Sequence, residues 1–149
     1  MKIEEYTIKS LEHFIELWTK IYSTGGKPDW SHIIPYYDDS IHFRDTVQEV
    51  NGIEEFKGVI ERLTKRSKEL EFKIVNAVMN DRIIFMEWEM NILFRRTKKS
   101  TIYGASRILL NENGKIIDQR DYYDLWGDIF DNIPLLNKLY RKFMKKVFG

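Results

Sequence analysis

The stretch Asp118-Gln119-Arg120-Asp121-Tyr122-Tyr123-Asp124 gathers three carboxyls, two phenols, an amide and a guanidinium into seven residues. A carboxyl beside phenols can move protons once burial takes it out of water, because desolvation lifts its pKa towards neutrality. Strand alternation puts Gln119, Asp121 and Tyr123 on one face and Asp118, Arg120, Tyr122 and Asp124 on the other. Both faces are polar, so alternation alone does not choose the inward one. Asp121 nevertheless differs from its neighbours in that the residues facing its way on the strand are neutral. Elsewhere the sequence offers little chemistry. It has no cysteine, which removes disulfides, Cys-based zinc sites, iron–sulfur clusters and thiol catalysis together. Its three histidines, His13, His32 and His42, are scattered, and His42 alternates away from Phe43, as a surface histidine does. No metal and no cofactor is expected.

The elements that must position this stretch can be read from periodicity. Apolar residues at 11, 14, 15, 18, 21 and 22 form a helical stripe capped by Ser10 and ended by Thr24-Gly25-Gly26-Lys27-Pro28. A shorter helix is expected over 29–37, then a strand over 41–45. Asn51 with Glu54 has capping-box spacing, and Ile53, Phe56, Val59, Ile60 and Leu63 make the buried stripe of a helix over 53–66. From residue 69 the period changes to two. Segments 69–79, 82–95, 101–111 and 115–125 are β-branched and aromatic, and short turns separate them, so they should pair consecutively and antiparallel. Residues 133–148 return to helical spacing. The expected order is ααβαββββα, an α+β domain with a strongly curved sheet covered on its concave side by the helices. Unless side chains fill it, such a cone keeps a cavity suited to a small ligand.

Composition sets the frame. The chain has 149 residues, 43% hydrophobic and 14% aromatic, which suits one packed domain over 1–149. No apolar run reaches the ~20 residues of a membrane span, and the N-terminus lacks the order of a secretory signal. A cytoplasmic protein is expected. The net charge of +1 conceals an asymmetry: residues 132–149 carry Lys138, Arg141, Lys142, Lys145 and Lys146 with no acid, leaving 19 bases against 23 acids elsewhere. A solvated basic face on an amphipathic C-terminal helix is the expectation, with membrane-surface contact the less favoured one. Nucleic-acid binding is disfavoured, because the body is acidic.

The run Tyr36-Tyr37-Asp38-Asp39-Ser40-Ile41-His42-Phe43-Arg44-Asp45, then Glu49-Val50-Asn51-Gly52, and later Asn113-Gly114-Lys115-Ile116 with Arg120-Asp121-Tyr122-Tyr123-Asp124, resembles the nuclear transport factor 2-like superfamily. The resemblance spans roughly residues 8–126 and is nearest to the SnoaL-like branch, whose relatives include polyketide cyclases, ketosteroid isomerases and limonene epoxide hydrolases. It implies an α+β roll with a cone-shaped pocket. It also implies that Asp45 matches the general base of the isomerases and Asp121 the catalytic acid of the epoxide hydrolases, so that two carboxylates converge. Other positions depart from those families. Trp88 and Met90 stand where the epoxide hydrolases have Arg and Asp, Ser106 where the isomerases have a protonated Asp, and Trp18 at or near the isomerase Tyr. These departures argue against both named reactions.

The inward set implied by the resemblance, Trp18, Met86, Trp88, Met90, Ile102, Ser106 and Tyr123, would give an aromatic and thioether lining for a flat apolar molecule. The same positions also suit plain core, and Asp45 also suits a turn cap or a partner for Arg44 or Arg120. The expected function is cofactor-free acid/base chemistry on an apolar small molecule: isomerisation, cyclisation, dehydration or epoxide hydration, with Asp121 and Asp45 catalytic. The alternative is a binding or carrier module with the same pocket and no turnover. A homodimer is expected through the outer sheet face, where Phe85, Tyr103 and Leu109 would otherwise meet water beside Glu87, Glu89 and Arg107. The C-terminal helix is expected to pack its apolar side on its own domain or on the dimer mate. Trp126 and Phe130 are expected near the cavity mouth.

Overall fold

A computed structural model describes residues 5–94, 99–129 and 133–149. Helix α1 (Leu11–Tyr22) starts where Ser10 Oγ accepts the His13 amide, and it buries Phe14, Trp18 and Ile21. The expected helix over 29–37 is reduced to turns and a single 3-10 turn, Ile34–Tyr36. Pro35 removes an amide donor there, and the chain leaves directly into β1 (Tyr37–Arg44), a longer strand than expected. After a turn at Asp45–Gln48 comes the short β2 (Glu49–Asn51), then α2 (Ile53–Arg66). The capping box is shifted by one position. Gly52, at φ +91°, precedes the helix, and Glu55 rather than Glu54 reaches back to the Asn51 amide.

The second half is the expected meander: β3 (Ser67–Asn80), β4 (Ile83–Phe94), β5 (Ser100–Leu110) and β6 (Ile116–Tyr123), paired antiparallel in sequence order. β1 joins the far side of β6 in parallel, with Phe43 opposite Gln119 and Arg44 opposite Arg120, giving the sheet order β2-β1-β6-β5-β4-β3. Register shifts at Ile74/Asn76 on β3 and at Leu109/Leu110 on β5 mark bulges, which bend strands and increase twist. The sheet is accordingly curved and unclosed. Its concave face carries Ile84, Met86, Trp88, Ile92, Ile102 and Ile108, all buried, and α1 and α2 lie across it.

A short helix, α3 (Leu125–Asp128), follows the sheet, capped by Asp124 at the Gly127 amide; α4 (Leu136–Phe148) follows. Of the two destinations expected for the apolar side of α4, its own domain does not cover it. None of its residues is buried, and Leu139 and Phe143 are 62% and 58% exposed. Its ring contact with the body is Tyr140 on Trp126, 6.5 Å between centroids. No helix among the described residues is long and apolar enough to cross a membrane.

Candidate functional site

Between the concave face and the two helices lies a cavity of about 340 Å³. Its walls are mostly apolar, with aromatic rings stacked along one side. Tyr22 stacks on Phe72 at 4.7 Å, Phe72 meets Trp88 at 5.3 Å, and Trp18 sits edge-on to Trp30 at 5.4 Å. One polar patch is the inward face of β6, where alternation delivers Gln119, Asp121 and Tyr123 together. The face that sequence alternation left open is thereby settled.

Asp121 receives two chains of hydrogen bonds. Trp88 Nε1 donates to Ser106 Oγ at 2.9 Å, and the Ser106 hydroxyl donates to Asp121 Oδ1 at 2.6 Å. Because the indole can only donate, Ser106 accepts from it and its own proton is directed at the carboxylate. In the second chain Tyr37 donates to Gln119 Oε1 at 2.7 Å, which orients the amide so that Nε2 faces Asp121 at 3.2 Å from Oδ1 and 3.4 Å from Oδ2. Oδ2 is the less engaged oxygen. Burial pushes the Asp121 carboxyl up, the Ser106 and Gln119 bonds pull it back, and the nearby Asp45 charge raises it again; it settles at about 6. No Lys or Arg among the described residues lies within ion-pair distance of Asp121 or Asp45.

Asp45 follows directly on β1. One step beyond the Arg44–Arg120 pairing sets it alongside Asp121, and it lines the same cavity. Its two oxygens do different jobs. Oδ1 accepts the Val47 and Gln48 amides, both at 2.8 Å, closing the turn, while Oδ2 accepts the Tyr123 hydroxyl at 3.2 Å. The turn-cap role and the inward position thus coexist, and neither Arg44 nor Arg120 is its partner. Burial, then the Asp45 and Asp121 charges, push the Tyr123 phenol well above its ordinary range, and burial does the same to Tyr22.

Of the other residues singled out from sequence, Trp18, Trp88, Met90, Ile102, Ser106 and Tyr123 line the cavity. Met86 is a correction: it faces inward but lies in solid core, 1% exposed, away from the cavity wall. Trp126 does not line the cavity either and is 55% exposed; Leu125 and Ile129 occupy that side. Phe130 lies outside the described residues. Sequence reasoning missed Tyr22, Phe72 and the Arg62–Arg66 pair, and it set Gln119 on the face of Asp121 without giving it a role. Gln119 was accessible from its i, i+2 spacing to Asp121; Tyr37 was not, since its place beside Gln119 depends on the parallel β1–β6 pairing. The Trp18 indole nitrogen is buried with no hydrogen-bond partner, an orphan donor in the wall.

A curved, unclosed sheet with helices across its concave side and a cavity between them defines the nuclear transport factor 2-like class. Within it, the chain belongs to the SnoaL-like domain family, whose model matches residues 11–119. Solved structures agree on the fold. One is an LEH-like epoxide hydrolase from M. tuberculosis (16% identity, TM-score 0.63, covering 88% of this chain and 92% of that one). Another is a candidate SnoaL-like polyketide cyclase from Jannaschia sp. CCS1 (15%, 0.67, 87% and 98%). A third is a protein with a ketosteroid isomerase-like fold from Catenulispora acidiphila DSM 44928 (12%, 0.70, 87% and 98%). No curated protein matches the chain in sequence.

Proposed function

We propose that the cavity carries out cofactor-free acid/base chemistry on an apolar small molecule, with Asp121 exchanging the proton and Asp45 as its partner. The observation that carries the reading is Asp121 itself, a carboxyl held at about 6 in an apolar cavity with no cation beside it. A group with that pKa is largely ionised at pH 7 yet protonates readily, as a general base that must return its proton requires. Oδ2, the less engaged oxygen, takes a proton from a ligand C–H or O–H, while the Ser106 and Gln119 donors stabilise the charge on the carboxylate between turnovers. Asp45 supplies a second carboxylate, and Tyr123, a phenol that does not ionise and whose proton goes to Asp45 Oδ2, leaves its oxygen to accept a hydrogen bond from a ligand O–H. Isomerisation, dehydration, cyclisation and epoxide hydration are all served by this equipment.

A second reading, a binding module without turnover, draws on the same bonds: Asp121 is already satisfied by Ser106 and Gln119, and Asp45 by a turn. One experiment separates them. The protein is incubated with β,γ-unsaturated ketones, tertiary alcohols and epoxides on apolar skeletons, and products are followed by mass spectrometry and chromatography. Turnover that disappears in Asp121→Asn while binding changes only a few-fold supports the enzyme with Asp121 at its centre; binding with no turnover supports the binding module, and turnover intact in Asp121→Asn removes Asp121 from the chemistry.

A further inference from the structure

We propose that the ligand of this cavity is amphipathic and anionic, its apolar body among the aromatic rings and its negative group at the mouth on Arg62 and Arg66. The inference rests on the reading of the cavity as a small-molecule site and adds the charge of the molecule it takes.

Both arginines line the cavity, and both are exposed, so they stand at its open end, away from the deep Ser106–Asp121 side. They sit four residues apart on the last turns of α2. Like charges at that spacing destabilise a helix slightly, unless something between them is negative. No carboxylate among the described residues supplies it: none lies within 4 Å of either guanidinium. The partner of Arg62 is neutral, Gln48 Oε1, which accepts from Nη2 at 3.0 Å and holds the group over the opening. Gln48 is in turn fixed by its own amide on Asp45 Oδ1.

Gly58 gives a second, independent sign. A glycine inside a helix costs stability relative to alanine. Here a Cβ would come to 3.2 Å from Arg62 Nη1, so the bare backbone lets the guanidinium rest a few tenths of an ångström closer to the helix than an alanine would. Arg62 is thus positioned by two features, neither of which neutralises it. A positioned, unneutralised guanidinium beside a second one is built to take a carboxylate, sulfonate or phosphate ester, since its planar fork donates to two anionic oxygens at once. Arg66 also lies in the last turn of α2, where a cation complements the helix dipole. A dipole role alone would affect stability and not ligand charge.

The test uses a matched pair of probes, 1-naphthaleneacetate and its neutral amide 1-naphthaleneacetamide, titrated calorimetrically into wild type and into the Arg62→Gln/Arg66→Gln double variant at low salt. The expected result is that wild type binds the carboxylate about fivefold to tenfold more tightly than the amide, the scale of a pair of solvent-exposed ion contacts. Added salt should erode this preference. In the double variant the preference should vanish while amide affinity stays within twofold. Equal binding of the two probes by wild type, or a preference that survives in the double variant, overturns the inference and leaves the cavity reading standing. Failure of wild type to bind either probe at millimolar concentration overturns both.

Discussion

Trp88 and Gly104 are directly paired across β4 and β5, and the indole of Trp88 lies over the position where any Cβ at residue 104 would project. The glycine is therefore the reason the indole can turn along the sheet and reach Ser106. Gly104→Ala should drive Trp88 off that position, break the Trp88–Ser106 bond and release the serine proton from its alignment on Asp121. Overpacking of this kind costs about 1–3 kcal/mol. Denaturant unfolding should record that loss, and the turnover assayed above should fall with it; a variant as stable as wild type with the same tryptophan emission would show that Trp88 is not held there.

Asp121 should be a liability to stability at neutral pH. Its folded pKa of about 6 lies above the ordinary 3.8, so the folded state prefers the protonated form. Stability from this group is fully present below about pH 3.8 and is lost as pH rises through 6. Two pKa units correspond to about 3 kcal/mol at most. Asp121→Asn removes the charge, so its advantage over wild type should be greatest above pH 7 and should fade between pH 6 and 4. Unfolding midpoints across that range check this, and a gap independent of pH would mean that Asp121 titrates normally.

The meander and the two covering helices were legible because their periods are unambiguous: 3.6 over 11–22 and 53–66, and two from residue 69 onward. The partnership of β1 was not, because a parallel pairing between segments some 75 residues apart leaves no local turn signal. That pairing sets Asp45 beside Asp121 and brings Tyr37 to Gln119; Asp45 was reachable only through family resemblance, and the Tyr37–Gln119 contact not at all. Met86 shows the opposite limit. Alternation gives its face correctly, yet whether an inward side chain meets a cavity or solid core depends on packing from the helices above. The Asn51–Glu54 spacing likewise suggested a cap that the chain makes one residue later, with Gly52 taking the positive φ and Glu55 the amide.

On the convex face His42 lies between two carboxylates, Nδ1 at 2.8 Å from Asp118 Oδ2 and Nε2 at 2.7 Å from Glu49 Oε1, while Arg107 holds the other Asp118 oxygen at 2.6 Å. The bonds to Asp118 and then Glu49 raise the imidazole above 6.5. The His42 bond holds Glu49 below its ordinary value; for Asp118, burial pushes upward, but the His42 and Arg107 bonds outweigh it. The signs are opposite. The histidine contributes stability below about pH 6.5 and loses it as pH rises through its raised folded value; the acids contribute above about pH 4.5 and lose it as pH falls through theirs. The cluster should be strongest between those limits. His42→Gln should lower the melting temperature most near pH 5.5 and progressively less above pH 7, and an equal drop at pH 5.5 and pH 9 would remove the charge from the account.

The exposed apolar side of α4 and the outer sheet face should find cover in a second copy of the chain. Leu136, Leu139, Phe143 and Val147 share one side of α4, 44–62% exposed, with five cations on the rest of the helix and no acid. On the convex sheet face Val78, Phe85, Tyr103 and Tyr122 are 43–64% exposed, beside Glu69, Glu71 and Glu87. Apolar surface on both elements favours self-association; the convex face mixes its acids with Lys73, Arg107 and Arg120, and Lys99 already lies by Glu69 and Glu71, so apolar area rather than net charge drives it. Sedimentation at micromolar concentration should give twice the 18.0 kDa chain mass. Deleting residues 133–149 should weaken the dimer and leave the melting temperature of the sheet domain nearly unchanged, because no α4 residue is buried in it. The competing destination for a basic amphipathic helix is an anionic lipid surface, where each cation gains roughly 1 kcal/mol. A full-length chain that sediments as a monomer, and that co-sediments with phosphatidylserine vesicles only while residues 133–149 are present, would transfer α4 from the dimer to the membrane.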